Sequence, residues 1–280
     1  MRPTRLRIPC KKAIVYLYLS VLAVVFLLPF FWMLSTSLKG SEQIFTYPPR
    51  WIPKPVHWQN YRDVLTTMPF LRYLFNTTFI TVMSIIGVVL SSSLVAYAFA
   101  RLRWKGRDSL FLFIIGTMML PAQVTMVPVF VLYKHIGWLD SFKPLVVPLF
   151  LGGGAFNIFL MRQFFLTIPQ ELSDAARIDG CSEFRIYWSI ILPLSKPAVA
   201  TIAILVFMMQ WNDFLGPLIF LSSKSKGTLA LGLAMLVGQH TTEYGMLMAA
   251  SVLLLIPVVV IFFLFQRYFV QGLMMTGIKG

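Results

Sequence analysis

Residues 169–193 read PQELSDAARIDGCSEFRIYWSIILP, and the reading of this stretch decides the fold. Four of the ten acidic residues of the chain, Glu171, Asp174, Asp179 and Glu183, fall within it, between two long apolar segments. Pro169 suits a first helical turn, and the acids just after it favour the positive end of the helix dipole. Leu172, Ala175 and Ala176 then share a face at helical spacing. Gly180 interrupts this helix. Ser182 can cap a second one, along which Phe184, Tyr187, Trp188 and Ile191 recur at i, i+3, i+4 and i+7. The spacing predicts helix, glycine bend, helix, lying at a membrane surface. Such an element suits docking to another protein. An ordinary interfacial helix between two spans gives the same periodicity.

Working outward, the chain has 280 residues, 58% hydrophobic and 12% charged. A soluble domain carries about 25% charge. The apolar residues come in runs of the ~20 residues needed to cross a bilayer. A first span is expected over 13–34. A basic start followed by an apolar run also marks a secretory signal, but this run exceeds the usual length of about 7–15 residues, and no small-x-small cleavage site follows. Residues 39–72 form a polar loop in which Pro48, Pro49, Pro53 and Pro55 rule out a long helix in the first half. Trp51, His57 and Trp58 are candidates there for partner contact or for interfacial packing. Further spans are expected over 73–100, 109–132, 144–161, 197–221 and 245–265. The second carries Gly87 and Ser91–Ser93, small residues that permit close helix packing. The third is interrupted by Pro121 and Pro128, and prolines inside a span kink it and free backbone carbonyls, which suits a helix lining a pathway and equally a kink for packing alone. The fourth holds Pro148 and Gly152–Gly154. The fold expected is all-α: a six-span membrane protein forming a single domain over 1–280, with the 169–193 loop inside it.

The fifth span holds Gln210, Trp211, Asn212 and Asp213 in the run MMQWNDFLGP. An ionisable group within a span costs ~2.5–3.5 kcal/mol and marks a pathway, a buried pair or an interface. Asn and Asp can hydrogen-bond sugar hydroxyls, and Trp offers an apolar face to a sugar ring, so the four residues are candidates for a translocation path. The alternative is that Asp213 is solvated near the outer interface.

DAARIDG (174–180) followed by ILPLSKP (191–197) resembles the cytoplasmic "EAA" loop of ABC importer permeases, with Asp174 where that family usually has Glu. The stretches PFFWMLSTSLKGSEQIFTYPPRWIP (29–53), NYRDVL (60–65), MMLPAQVTMVPVFVLYKHIGWLDS (118–141), WNDFLGPL (211–218) and the tail QRYFVQGLMMTGIKG (266–280) are similar to MalG-like permeases of carbohydrate importers. The resemblance implies that 169–193 carries a coupling helix that enters a groove on an ATPase subunit. Glu171, Asp174, Ala175, Ala176, Asp179, Gly180 and Phe184 would make that contact. It also implies a second permease subunit, two ATP-binding subunits, an extracytoplasmic substrate-binding protein and a carbohydrate substrate. The 39–72 loop would be external, and the tail would extend to the ATPase dimer interface. The setting implied is a bacterial inner membrane.

Orientation follows from charge. With six spans, the side bearing the N-terminus has 15 Lys and Arg and the other side 9, which puts both termini and the 169–193 loop in the cytoplasm. The same rule accounts for the net charge of +14 without a nucleic acid partner. There is no G-x-x-x-x-G-K-[ST] phosphate loop, so ATP hydrolysis is expected on a separate subunit. Cys10 and Cys181 are too far apart in sequence to suggest a disulfide framework, and no metal site or cofactor is expected. Asn-Thr-Thr at Asn76 fits a glycosylation acceptor only by chance, at the edge of a span. Two other classes compete. A membrane-embedded enzyme would use Asp213, His240 and Glu243, which follow no recognisable motif spacing. A lone ion-coupled carrier would need more ionisable groups within its spans.

Overall fold

The computed structural model describes residues 10–237 and 243–277, which form helices and loops with no strand among them. Four helical segments are long and apolar enough to cross a membrane: Lys12–Ser37, Phe70–Arg101, Lys143–Thr167 and Tyr244–Gln266. Two bent pairs, Arg107–Met119 with Gln123–His135 and Glu183–Leu194 with Lys196–Trp211, bring the total to six when each counts as one span. The basic residues Arg2, Arg5 and Arg7 lie outside the described residues, as do His240 and the final Lys279.

Three expected spans are broken. The third turns by 99° between its halves. Leu120 and Pro121 both take extended conformations there. Proline supplies no N–H and pushes its predecessor out of the helical region. The fourth is interrupted at 151–154, where Gly152, Gly153 and Gly154 all have positive φ. Its second helix runs on from Ala155 to Thr167, past the expected end at 161. The fifth ends at Trp211 instead of 221, and a separate short helix, Leu215–Phe220, follows. In the sixth, the helix continues from Tyr244 to Gly277, well beyond the expected end at 265.

The residues fall into two compact units. In the first (10–68, 233–237 and 243–257), the proline-rich loop folds back on the end of the first span. Trp51 packs edge-on against Trp32 at 5.0 Å, and Ser35 donates to the Trp51 carbonyl. Asn60 Nδ2 donates to the carbonyls of Ser37 and Lys39, both at 2.9 Å. Lys39 is buried with its Nζ 4.0 Å from the Trp32 ring centre and no hydrogen-bond partner. His57 and Trp58 are exposed.

The second unit (69–232 and 258–277) is built around the Phe70–Arg101 helix. Its core joins Val88, Ala96, Tyr97 and Phe99 to Ile158, Met161 and Phe165 of the fourth span and to Ile202 and Val206 of the fifth. The serines explain the close approach. Ser91, Ser92 and Ser93 return their hydroxyl protons to the carbonyls of Gly87, Val88 and Val89, so buried polar atoms are satisfied within the helix. A Cβ on Gly153 would lie 2.8 Å from the Val88 carbonyl oxygen. Asn76 is buried and donates to the carbonyls of Ser225 and Gly227, which removes it as a glycosylation acceptor. On the loop side, Asp140 accepts from the backbone N–H groups of Ser222 and Ser223 and pairs with Lys226 at 2.9 Å.

Candidate coupling loop and path residues

Residues 171–178 form a helix, as the spacing predicted, with Glu171 and Asp174 in its first turn. Its end is a Schellman motif. The Cys181 N–H reaches back to the Ala176 carbonyl (2.9 Å) and the Gly180 N–H to the Arg177 carbonyl (3.0 Å). Gly180 holds φ +77°, a left-handed conformation that glycine adopts without strain. Ser182 caps the next helix by accepting from the Arg185 N–H at 3.4 Å. That helix passes through a π-helical turn at Tyr187–Ile191 and a short helix ending at Leu194. It then bends by 78° into the fifth span.

The faces are divided differently from the sequence expectation. Leu172, Ala175 and Ala176 do not act together: Leu172 and Ala175 are exposed, and Ala176 is buried beside Ser173. Along the second helix, Tyr187 and Ile191 are buried while Phe184 and Trp188 are exposed. The two pairs, each spaced i, i+4, fall on either side of the line where the helix meets its neighbours. The outcome is an exposed apolar surface of Leu172, Ile178 (87% exposed), Phe184 (64% exposed) and Trp188. Phe184 and Trp188 stack there at 6.4 Å. Asp179, the residue before the glycine, is exposed at the same bend.

Charges brace the loop internally. Arg177 pairs with Asp174 at 2.6 Å and with Glu183 at 2.7 Å, joining the two helices across the glycine bend. Arg101, at the end of the second span, donates to the Ile168 carbonyl (2.7 Å) and to Gln170 Oε1 (2.8 Å) at the entry to the loop. An open cleft of about 640 Å³ lies alongside, lined by Arg101, Arg103, Trp104, Asp174, Arg177 and Glu183. Arg101 and Arg177 did not stand out in the sequence, because each acts through partners that only the fold supplies.

At the candidate path, the residues lie together at the end of the Lys196–Trp211 helix without sharing one lining. Trp211 is buried and stacked on Phe207 at 5.3 Å. Asn212 is exposed, and its side chain donates back to the Met208 carbonyl. Asp213 accepts from the Gly216 N–H at 3.1 Å, capping the short helix that follows. Gln210 is half-buried. Of the three acid–base candidates, Asp213 has this capping role, Glu243 accepts from Ser41 Oγ at 3.3 Å, and His240 lies outside the described residues. Among the described residues no three His, Cys, Asp or Glu side chains gather as a metal site would need.

Residues 87–275 match the family model described as the binding-protein-dependent transport system inner membrane component. The chain is 34% identical over 267 residues to AraQ, a permease protein of the arabinooligosaccharides transport system of Bacillus subtilis, covering 94% of each chain. It is 35% identical to UgpE, a permease protein of the sn-glycerol-3-phosphate transport system of Yersinia enterocolitica, covering 92% of this chain and 94% of that one. Among solved structures, a chain of a bacterial ABC transporter involved in import of the acidic polysaccharide alginate superposes with a TM-score of 0.82 at 27% identity. The match covers 96% of this chain and all of that one.

Proposed function

Because the chain belongs to the binding-protein-dependent transport system inner membrane components and is a permease subunit of an ABC importer, we propose that its cargo is a sugar or sugar derivative and that 169–193 couples it to an ATPase. An oligosaccharide or a glycerol-phosphate ester fits the cargo class, given the transport systems that the named relatives serve, and a polyol is of the same hydroxyl-rich chemistry. The partners are a second permease subunit, two ATP-binding subunits and an extracytoplasmic binding protein. ATP is hydrolysed on those separate subunits. Both termini and the coupling loop face the cytoplasm, in keeping with the excess of basic residues on that side. Residues 1–280 act as one permease domain, and Gln210, Trp211, Asn212 and Asp213 border the path.

The observation that carries the coupling reading is the exposure of the apolar side chains Leu172, Ile178, Phe184 and Trp188 on helices braced by the Arg177 pairs. Exposed apolar side chains with charged neighbours mark a protein interface. ATP-driven closure of the ATPases moves this rigid element, and the spans turn from inward- to outward-facing.

The test is gentle purification from the native membrane with mass spectrometry of what accompanies the chain. An ATPase and a second six-span protein are expected. A chain that purifies alone, in detergent that keeps other complexes whole, overturns the reading. Asp179→Lys, on the exposed bend, is expected to lower ATP-driven uptake at normal membrane levels. Gly180→Pro is expected to do the same more severely, since proline cannot take a positive φ. Normal uptake by both variants counts against the coupling role.

A further inference from the structure

Ser93, Tyr97 and Arg101 recur every fourth residue on the Phe70–Arg101 helix and so form one stripe. All three are buried, and each bonds a different part of the coupling loop. Ser93 Oγ, whose own proton goes to the Val89 carbonyl, accepts from the Tyr187 hydroxyl at 2.7 Å on the leg leaving the loop. Tyr97 donates to Glu183 Oε2 at 2.6 Å, and the other oxygen of Glu183 holds Arg177 at 2.7 Å. Arg101 donates to the Ile168 carbonyl and to Gln170 Oε1 on the leg entering it. The helix of residues 171–178 is therefore held at its entry and its exit by one face of one span.

We propose that Tyr97 and Arg101 are positioning residues that transmit coupling-helix displacement into the second span, so that loop and span move as one body. This rests on the coupling reading above. By chain continuity alone, the loop pulls only on the fourth span before it and the fifth after it. The stripe adds the second span, around which the core of this unit is assembled. Hydrogen bonds at these part-buried sites resist rearrangement because breaking one leaves a polar group unpaired. Apolar contacts can slide without that penalty.

The test uses the full chain in complex with its ATPase subunits, in a Cys10→Ser background. One spin label goes on the native Cys181 in the loop, and a second on Leu71→Cys, an exposed position at the far end of the same span. In the wild type, the distance between the labels is expected to stay the same without nucleotide and with the ATPases closed and trapped by ADP and vanadate. In Arg101→Gln and in Tyr97→Phe it is expected to differ between the two states. Tyr97→Phe keeps the ring contact with Tyr187 and removes only the hydroxyl, so it also serves if Arg101→Gln fails to fold. A wild-type distance that shifts, or variants that hold it as the wild type does, overturn the proposal while ATPase retention keeps the coupling reading standing. A wild-type chain that retains no ATPase overturns both.

Discussion

Asp140 shows how much one side chain can organise. It takes φ +50°, a conformation that aspartate tolerates better than most residues. The Ser223 hydroxyl, the N–H groups of Ser223 and Ser222, and then Lys226 hold its carboxyl well below the usual carboxylate range. A carboxyl whose pKa is depressed by folding adds stability above its unfolded pKa of about 3.9, and that stability fades as the pH falls through the folded value. Thermal stability of the solubilised chain is therefore expected to fall below about pH 4, and Asp140→Asn should unfold earlier at neutral pH with part of this acid sensitivity gone. A variant as stable as the wild type at pH 7 would show that the tie is dispensable. Gly153 sets a second residue-scale limit. Gly153→Ala forces its Cβ onto the Val88 carbonyl, an overpacking cost of about 1–3 kcal/mol, with strain at φ +68° added. Gly106→Ala, also at positive φ but in open space, carries the strain alone and should melt at a higher temperature than Gly153→Ala. Neither limit was legible in the sequence. Asp140 meets its partners about eighty residues away, and the Gly152–Gly154 run is as consistent with close packing as with a bend.

At the scale of elements, the coupling loop was the most legible part of the chain, because its signals are local: acids in a first turn, a glycine stop, a serine cap. All three hold. Which apolar residues point outward was not legible, since periodicity defines faces without saying which one the neighbours cover. The break in the third span was legible as a proline kink at Pro121, whereas that in the fifth was missed for a related reason. Hydropathy reports the cost of leaving water and is indifferent to whether the backbone stays helical at Asn212. The observed faces predict a clear separation of effects. Phe184→Ala and Ile178→Ala remove exposed side chains, so they should leave unfolding of the isolated chain unchanged while weakening ATPase retention on the order of tenfold, as loss of an interface anchor does. Ile186→Ala empties a fully buried site two residues from Phe184 and should cost about 2–5 kcal/mol of stability. Equal ATPase binding by wild type and both exposed-site variants would move the docking face elsewhere.

At the scale of the molecule, the spans differ in how much of themselves they bury. The most apolar stretch of the second is half buried within the chain, that of the last only 11%, and that of the first not at all. Six spans and an all-helical fold were readable from run length alone, but this inequality was not, because a run of Leu, Val and Phe suits lipid and protein equally. A partner permease that covers such faces stabilises the folded state by mass action. The chain co-purified with its second permease should therefore melt at a higher temperature than the chain alone. Identical melting would leave those faces to lipid. Lys39 supplies a gauge for such preparations. The residue is 1% exposed, with its amine buried beneath the returning loop, and burial lowers its pKa, whereas Lys54, Lys105, Lys134 and Lys143 stand in the open. An acylating reagent at mild pH should mark those four and spare Lys39 for as long as the loop stays closed over Trp32. Peptide mapping of that unlabelled amine would then report, batch by batch, whether detergent has left the loop end of the first span intact.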